Sequence, residues 1–312
     1  MNFFAEIVGQ TRAIELLSSA VKKGRIAPAY LFAGSPGIGR SLTAKCFSAM
    51  LLSANVPDHK IPLIKKKIRL GNHPDLLWVE PSYLERGQVI PASIAEANKL
   101  KRQAPPQVRI EQIRSITQFL SRPPLEAKRS VVVIEEAQLM TEAAANALLK
   151  TLEEPGKATI VLIASARSLL PTIISRTQQI PFYPLSHSDL SRVLKAQNRA
   201  EILNDPEILA MANGSPGVAI ASFARLETIS KQLLNKLKKR PQNSLEALQL
   251  AKEIKEQLDF QAQLWLVDYL QYYYWNSYLE KNLIEQLEKT RQYLLAYVQP
   301  RLAWETTLLS FC

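Results

Sequence analysis

Cysteine is nearly absent from this chain of 312 residues, which holds only Cys46 and Cys312. Two thiols cannot build a disulfide framework or a four-ligand zinc site, so a reduced compartment fits best, and Cys46 reads as a small buried hydrophobe. Long apolar runs are missing as well. The longest, near Val131 and Ile160, are far too short to span a bilayer. The opening stretch, MNFFAEIVGQTRAIELL, carries acids and no apolar leader core, which predicts a cytoplasmic protein. What remains is ordinary for a globular chain: 47% hydrophobic and 21% charged residues, enough for two or three domains. The net charge of +11, from 39 Lys and Arg against 28 Asp and Glu, fits an acidic partner such as nucleic acid and a solvated basic surface equally well.

A lysine is missing where it matters most. Residues 31–42 read LFAGSPGIGRSL, a phosphate-binding loop of the pattern G-x-x-x-x-G-K-[ST] in which Gly34, Gly39 and Ser41 fit but position 40 is Arg40. Lysine serves there as a compact charge between two phosphates; arginine is a wide planar fork that needs a different pocket. Taken alone, such a turn is equally a tight strand-to-helix connection. The pairing that gives it meaning is VVVIEE at 131–136, a buried strand followed by Glu135 and Glu136. Glu135 stands at the magnesium position, normally Asp, and Glu136 at that of the water-activating base. The extra methylene moves the carboxylate by roughly 1.5 Å, which is large against magnesium's near-ideal octahedron. Gly34, Gly37, Gly39, Arg40, Ser41, Glu135 and Glu136 thus form a degenerate nucleotide site.

The pattern along the chain predicts an α/β core with a parallel sheet of phosphate-loop type. A helix over 13–21, a strand at 29–32, the loop, and a helix over 40–52 come first. A strand follows at 76–79, then a polar, proline-containing stretch at 82–108 read as a partly helical insertion or loop. Ile110, Ile113, Ile116 and Leu120 mark a helical face, Thr141 caps a helix that Pro155 stops, and 159–163 is a further buried strand. After Pro184 strands cease. The division expected is a nucleotide-binding-like domain at 1–183, a small helical lid at 184–222 and an all-α collar that oligomerises at 223–312.

Ile7-Val8-Gly9-Gln10, Gly24-Arg25-Ile26, Ala29-Tyr30-Leu31-Phe32, His73-Pro74-Asp75-Leu76 and Ile110-Glu111-Gln112-Ile113-Arg114 recur in one known family. With NALLKTLEEP at 146–155, Ile174-Ser175-Arg176, and PRLAWE at 300–305, the chain resembles the bacterial clamp-loader subunits of the AAA+ class almost end to end. Motor subunits of that family keep the lysine and an Asp-Glu pair, so the resemblance is to the non-hydrolysing stator. It implies an arginine finger, Arg176 with Ser175 beside it, placed in the ATP site of an adjacent subunit. Thr177 replaces the family's cysteine and leaves the finger in place. The implied partners are the gamma and tau motor subunits and delta, with the sliding clamp and primer-template DNA reached through the complex. No cofactor is required of this chain, ATP and magnesium in its own site being weak or absent. Many members hold a zinc module through four cysteines; residues 55–69 have none and carry Lys65-Lys66-Lys67 instead, so no zinc is expected. The stretch 214–218 lacks the arginine with which motor subunits touch their own nucleotide. The competing expectation is an enzyme, an active AAA+ ATPase of the motor or helicase type that uses Arg40.

Other features read blandly. Tyr269, Tyr272, Tyr273, Trp275 and Tyr278 have helical spacing, which favours packed core or an oligomer surface over a base-stacking platform. Lys236, Lys238, Lys239 and Arg240 read as a solvated linker before a DNA-backbone contact. His73 reads as hydrogen-bonded structure before a ligand.

Overall fold

The β-branched strand at 131–134 needs cover on both faces, and the chain supplies it with helices on either side of a parallel sheet. A computed structural model describes residues 2–85, 88–98, 105–165 and 168–312. Its first elements are α1 (Thr11–Lys22), β1 (Ala29–Ala33), α2 (Arg40–Leu52), α3 (Ile61–Arg69), β2 (Leu76–Val79), β3 (Ser82–Glu85), β4 (Gln88–Pro91), α4 (Ala92–Ala97) and α5 (Ile110–Leu120). There follow β5 (Ser130–Ile134), α6 (Glu142–Glu153), β6 (Ala158–Ala164), α7 (Pro171–Ile174) and β7 (Gln178–Pro181). The sheet runs β2-β5-β6-β1-β7 and is parallel throughout, with Leu31 opposite Leu162 and Val132 opposite Ile160. Every residue of β5 and β6 is buried. Alternation splits their side chains into two cores: Tyr30, Phe32, Val131 and Val133 pack with Leu17 and Phe47, while Leu31, Val132 and Ile134 pack with Ile113, Ile116 and Leu148.

The parallel-sheet α/β core and the helical remainder stand as expected, and three local readings need correction. The stretch 82–108 holds the antiparallel hairpin β3–β4 and the short α4; Tyr83 and Leu84 pair with Ile90 and Val89, an alternation the polar flanks obscured. The parts of that reading at 86–87 and 99–104 lie outside the described residues. Helix α3 was not anticipated, although Ile61, Ile64 and Ile68 give it a buried stripe and Pro62 sits at its start. Strand β7 escaped because Gln178 and Gln179 are exposed on the sheet edge and only Ile180 is buried.

The His73-Pro74-Asp75 turn fixes the entry to β2. Asp75 is 2% exposed, and its carboxylate accepts N–H bonds from Leu125, Glu126 and Ala127 at 2.6, 2.8 and 2.7 Å, while His73 Nδ1 accepts the Asp75 N–H at 3.1 Å. His73 is therefore structural. Burial lowers its pKa below the ordinary 6.5, against the opposing pull of Asp75 and Glu126. Cys46 is buried as expected, and burial next to Glu6 pushes its thiol up to about 12.

The remaining elements are α8 (His187–Ala196), α9 (Pro206–Ala212), α10 (Pro216–Thr228), α11 (Lys231–Leu237), α12 (Ser244–Gln257), α13 (Phe260–Tyr278), α14 (Lys281–Leu295) and α15 (Pro300–Leu309). Two compact units result: one built from Pro106–Val193, the chain before it and Gly214–Gly217, the other mainly from Leu194–Asn213 and Val218–Cys312. Residue 222 lies inside α10. The second unit centres on Trp304, Tyr269 and Tyr274, all buried; Trp304 Nε1 donates to Gln263 Oε1 at 3.0 Å and the Tyr274 hydroxyl to the Leu237 carbonyl at 2.6 Å. The basic run near 236–240 is paired: Lys236 with Glu253 at 2.8 Å, Lys238 with Glu207 at 3.1 Å and Arg240 with Glu280. No helix among the described residues is long and apolar enough to cross a membrane.

Asp75→Ala strands three amides at once and is expected to lower unfolding stability by about 3 kcal/mol, read as a shifted urea midpoint. Because His73 titrates lower folded than unfolded, its contribution is full above about pH 6.5 and is lost as pH falls through the lowered value. His73→Asn, whose side-chain oxygen can still accept the Asp75 N–H, should flatten that acid-side loss in melting temperature.

Candidate functional site

Two strand-to-helix junctions at the carboxyl end of the sheet carry the residues singled out from the sequence. At the first, after β1, a Cβ on Gly34 would lie 2.8 Å from the Phe182 carbonyl oxygen and 2.9 Å from Ile38 Cδ1, so only glycine fits. Gly37 and Gly39 take φ of +72° and +96°, the left-handed region. Gly39 is the N-cap of α2 and has no side chain to cap it, so the first amides of α2, those of Arg40 and Ser41 among them, lack a capping oxygen. Such amides, at the positive end of a helix, cradle an anion.

At the second junction, after β5, the Glu135 N–H donates to the Val79 carbonyl at 2.8 Å. Glu136 then adopts φ 45° and ψ 48°, a conformation few non-glycine residues take. Its carboxylate faces Arg40, with Oε1 at 3.6 Å from Nη2, while Oε2 accepts a short hydrogen bond from Gln138 Nε2. Arg40 is 4% exposed. Burial draws its pKa down from the ordinary arginine value, with Glu136 and then Glu135 opposing, and the guanidinium stays charged. Its Nη1 is buried without an acceptor. An unmet buried donor costs about 1–3 kcal/mol, which singles out a place for an oxyanion.

The chemistry of the donor set is therefore lopsided. Glycine amides and a half-satisfied guanidinium fit phosphate oxygens. A metal is less well served: among the described residues no three His, Cys, Asp or Glu side chains converge to hold one, and Glu136 is divided between Arg40 and Gln138. The sequence-predicted residues Gly34, Gly37, Gly39, Arg40, Glu135 and Glu136 are thus brought together at the start of α2, with Glu136 and Glu135 in the field of Arg40, and Ser41 stands half-buried on the first turn of that helix.

Two side chains and one backbone amide tie the loop down, and sequence reasoning gave none of them a role. Gln10, 3% exposed, donates to the Ile38 carbonyl at 3.2 Å and to that of Tyr183 at 2.8 Å, and accepts the Tyr183 N–H at 3.2 Å. The Ser215 hydroxyl donates to the Pro36 carbonyl at 2.8 Å, and the Gly217 N–H to that of Gly37 at 2.9 Å. A Cβ on Gly217 would sit 2.7 Å from Gly37 Cα, so the close approach requires glycine. The stretch 214–218 was notable in the sequence for lacking arginine; the usable signal was its glycine and serine around Pro216.

Ser175, Arg176 and Thr177 lie between α7 and β7, apart from the loop. Arg176 Nε and Nη2 donate to Glu153 Oε1 at 3.0 and 2.6 Å, and Nη1 donates to the Thr172 carbonyl at 3.1 Å. Ser175 bonds to the Thr172 carbonyl and Thr177 to that of Ile174, which closes the turn on itself. With side chains 37% and 52% exposed, the Arg176–Glu153 pair is worth about 0–1 kcal/mol and is easily opened. Glu153, near the end of the 146–155 motif, was not foreseen as its partner.

Residues 9–186 match the family described as DNA polymerase III, delta subunit, and residues 188–311 match the cyanobacterial DNA polymerase III delta prime, C-terminal domain. The chain is 36% identical over 182 residues to the DNA polymerase III subunit delta' of Bacillus subtilis, covering 56% of this chain and 48% of that protein. It is 34% identical over 199 residues to the delta' subunit of Pseudomonas aeruginosa, covering 61% and 54%. The gamma/tau subunit of Mycobacterium tuberculosis is 28% identical over 220 residues, 68% of this chain and 35% of that one. The matches thus span about half the length of the two delta' relatives. Among solved structures, a gamma subunit-related protein of Thermotoga maritima shares the fold with a TM-score of 0.52 at 19% identity, over 96% of this chain and 98% of that one.

Arg40→Met should change unfolding stability by less than about 1 kcal/mol, because losing an unmet buried donor offsets losing the Glu136 contact. Pyrophosphate is expected to raise the melting temperature of the unaltered chain and to leave that of Arg40→Met unmoved.

Proposed function

The chain belongs to the DNA polymerase III delta prime family, and from that membership we propose that it is the stator subunit of a clamp loader. It sits in a hetero-oligomer with gamma/tau motor subunits and delta, helps place the sliding clamp on primed DNA, and works in the cytoplasm. In this reading residues 1–183 are the nucleotide-binding-like domain, 184–222 a lid and 223–312 the collar. Its own site requires no ATP or magnesium and turns none over, and no zinc is needed.

The observation that carries this reading is the engagement of Glu136. Hydrolysis needs a carboxylate free to orient water beside a metal-bound phosphate; this one is held by Arg40 and Gln138. The loop is also fastened through Gln10, Ser215 and Gly217, which favours a rigid element over one that opens and closes with each turnover. Arg176 then acts outside its own chain. Released from Glu153, its planar fork reaches the transferring phosphoryl group of the adjacent subunit and stabilises the charge that develops there. Ser175 and Thr177 keep the turn in shape through their bonds to Thr172 and Ile174.

Two measurements test this. The isolated chain with labelled ATP and magnesium should show no turnover, and brisk hydrolysis would establish the active-ATPase alternative instead. In a reconstituted loader, Arg176→Ala should slow hydrolysis at the neighbouring site by about 10³-fold or more while the oligomer still assembles. Glu153→Gln should preserve it; unchanged turnover in Arg176→Ala would reject the role in trans.

A further inference from the structure

The outer edge of the sheet at β2 is built like a socket. Among the described residues strand β2 pairs with β5 alone, through the Val131 N–H to the Asp75 carbonyl and the Glu135 N–H to that of Val79, both 2.8 Å. Residues 75, 77 and 79 thus face β5, and alternation turns the N–H and C=O of Trp78 away from the sheet, where no strand among the described residues meets them. Native edge strands are normally guarded by charge, proline or a bulge. The sequence here is Leu76-Leu77-Trp78-Val79, without any of these, and its first three residues are only half-buried.

A cleft of about 530 Å³ runs along that edge, between α2 and α3 on one side and α5 on the other. Five consecutive residues, 76–80, line it, together with Lys45, Arg69 and Ser115. Lys45 and Arg69 also form the rim of an adjoining pocket of about 150 Å³, whose floor is Phe3, Leu42, Ala49 and Ile68. That volume suits one aliphatic side chain. Lys45 lies over the Trp78 ring at 5.4 Å and Lys65 over the Phe3 ring at 5.0 Å; neither they nor Arg69 has an ion-pair partner among the described residues. Glu80 and Glu135 line the cleft with carboxylates of their own, whereas at the rim of the small pocket the three cations meet, among the described residues, Glu6 alone, which accepts from the Cys46 thiol.

The geometry points to a docking site for an extended acidic segment of a partner protein, which adds a strand beside β2, seats an aliphatic side chain in the small pocket and sets carboxylates against Lys45, Lys65 and Arg69. The Leu76 N–H is taken by the His73 carbonyl and the Glu80 carbonyl by Gln112 Nε2, so the outward N–H and C=O of Trp78 between them call for one polypeptide strand, and three cations against one carboxylate at the small pocket fix its sign. Nucleic acid would use the cations and leave both the strand edge and the apolar floor unsatisfied. The inference stands whether or not the chain is a stator.

The test uses the full chain and fluorescence anisotropy. A labelled peptide of about eight residues, mixed aspartate, leucine and isoleucine, is compared with its lysine-for-aspartate counterpart, an N-methylated version, and oligo-dT of about sixteen nucleotides. The acidic peptide should bind saturably, slow hydrogen exchange at the Trp78 amide, and bind at least about tenfold more weakly to Lys45→Glu/Arg69→Glu. Both positions are exposed, so that variant should melt like the unaltered chain. The N-methylated and lysine peptides should fail. Equal binding of either, an unprotected Trp78 amide, or oligo-dT binding through Lys45 and Arg69 without peptide binding would overturn the proposal.

Discussion

Arg40 governs the character of the phosphate loop. A lysine there would reach past the loop toward a bound anion; the guanidinium instead folds inward, takes Glu136 as a partner and leaves Nη1 without one. Everything around it accommodates that choice. Glu136 bends into a left-handed conformation, Gln138 steadies its second oxygen, and the glycines of the loop approach Phe182 and Gly217 closely.

The second working residue, Arg176, shows the opposite logic. It is held only by an exposed pair with Glu153, on a turn that Ser175 and Thr177 close through local hydrogen bonds. A weak surface ion pair keeps such a side chain extended without locking it. Arg40 and Arg176 thus occupy two regimes of the same chemistry, one buried and committed, the other exposed and available.

Much of this was legible in the residues. Strands at 76–79 and 131–134, the Thr141 cap with its bond to Ala144, and the helix after the loop all follow from β-branched runs, capping chemistry and periodicity, because those signals are local. The hairpin β3–β4 and strand β7 were not, since both lie at edges where half the positions are polar and pairing partners decide the structure. The loop glycines, Arg40, Glu135, Glu136 and Arg176 were visible as types at fixed spacing. Gln10, Glu153 and Ser215 were not: their roles depend on contacts as far as 179 positions apart, which no window of sequence displays. The ion pairs of the basic run near 236–240 were hidden for the same reason, its countercharges lying on other elements.

Strand β1 occupies the middle of the sheet, yet its two neighbours come from much later in the chain: Ala29 lies beside Ile160, and Tyr30 beside Gln178. On a ribosome, the segment bearing the glycine turn therefore emerges long before anything can hold it. Pairings this distant close slowly, because so much chain entropy is surrendered before the first contact forms. The helical unit at the other end closes over shorter spans, Tyr274 meeting Leu237 and Trp304 meeting Gln263. The loop acquires its shape only when β6 and β7 have been made and the sheet around it is complete.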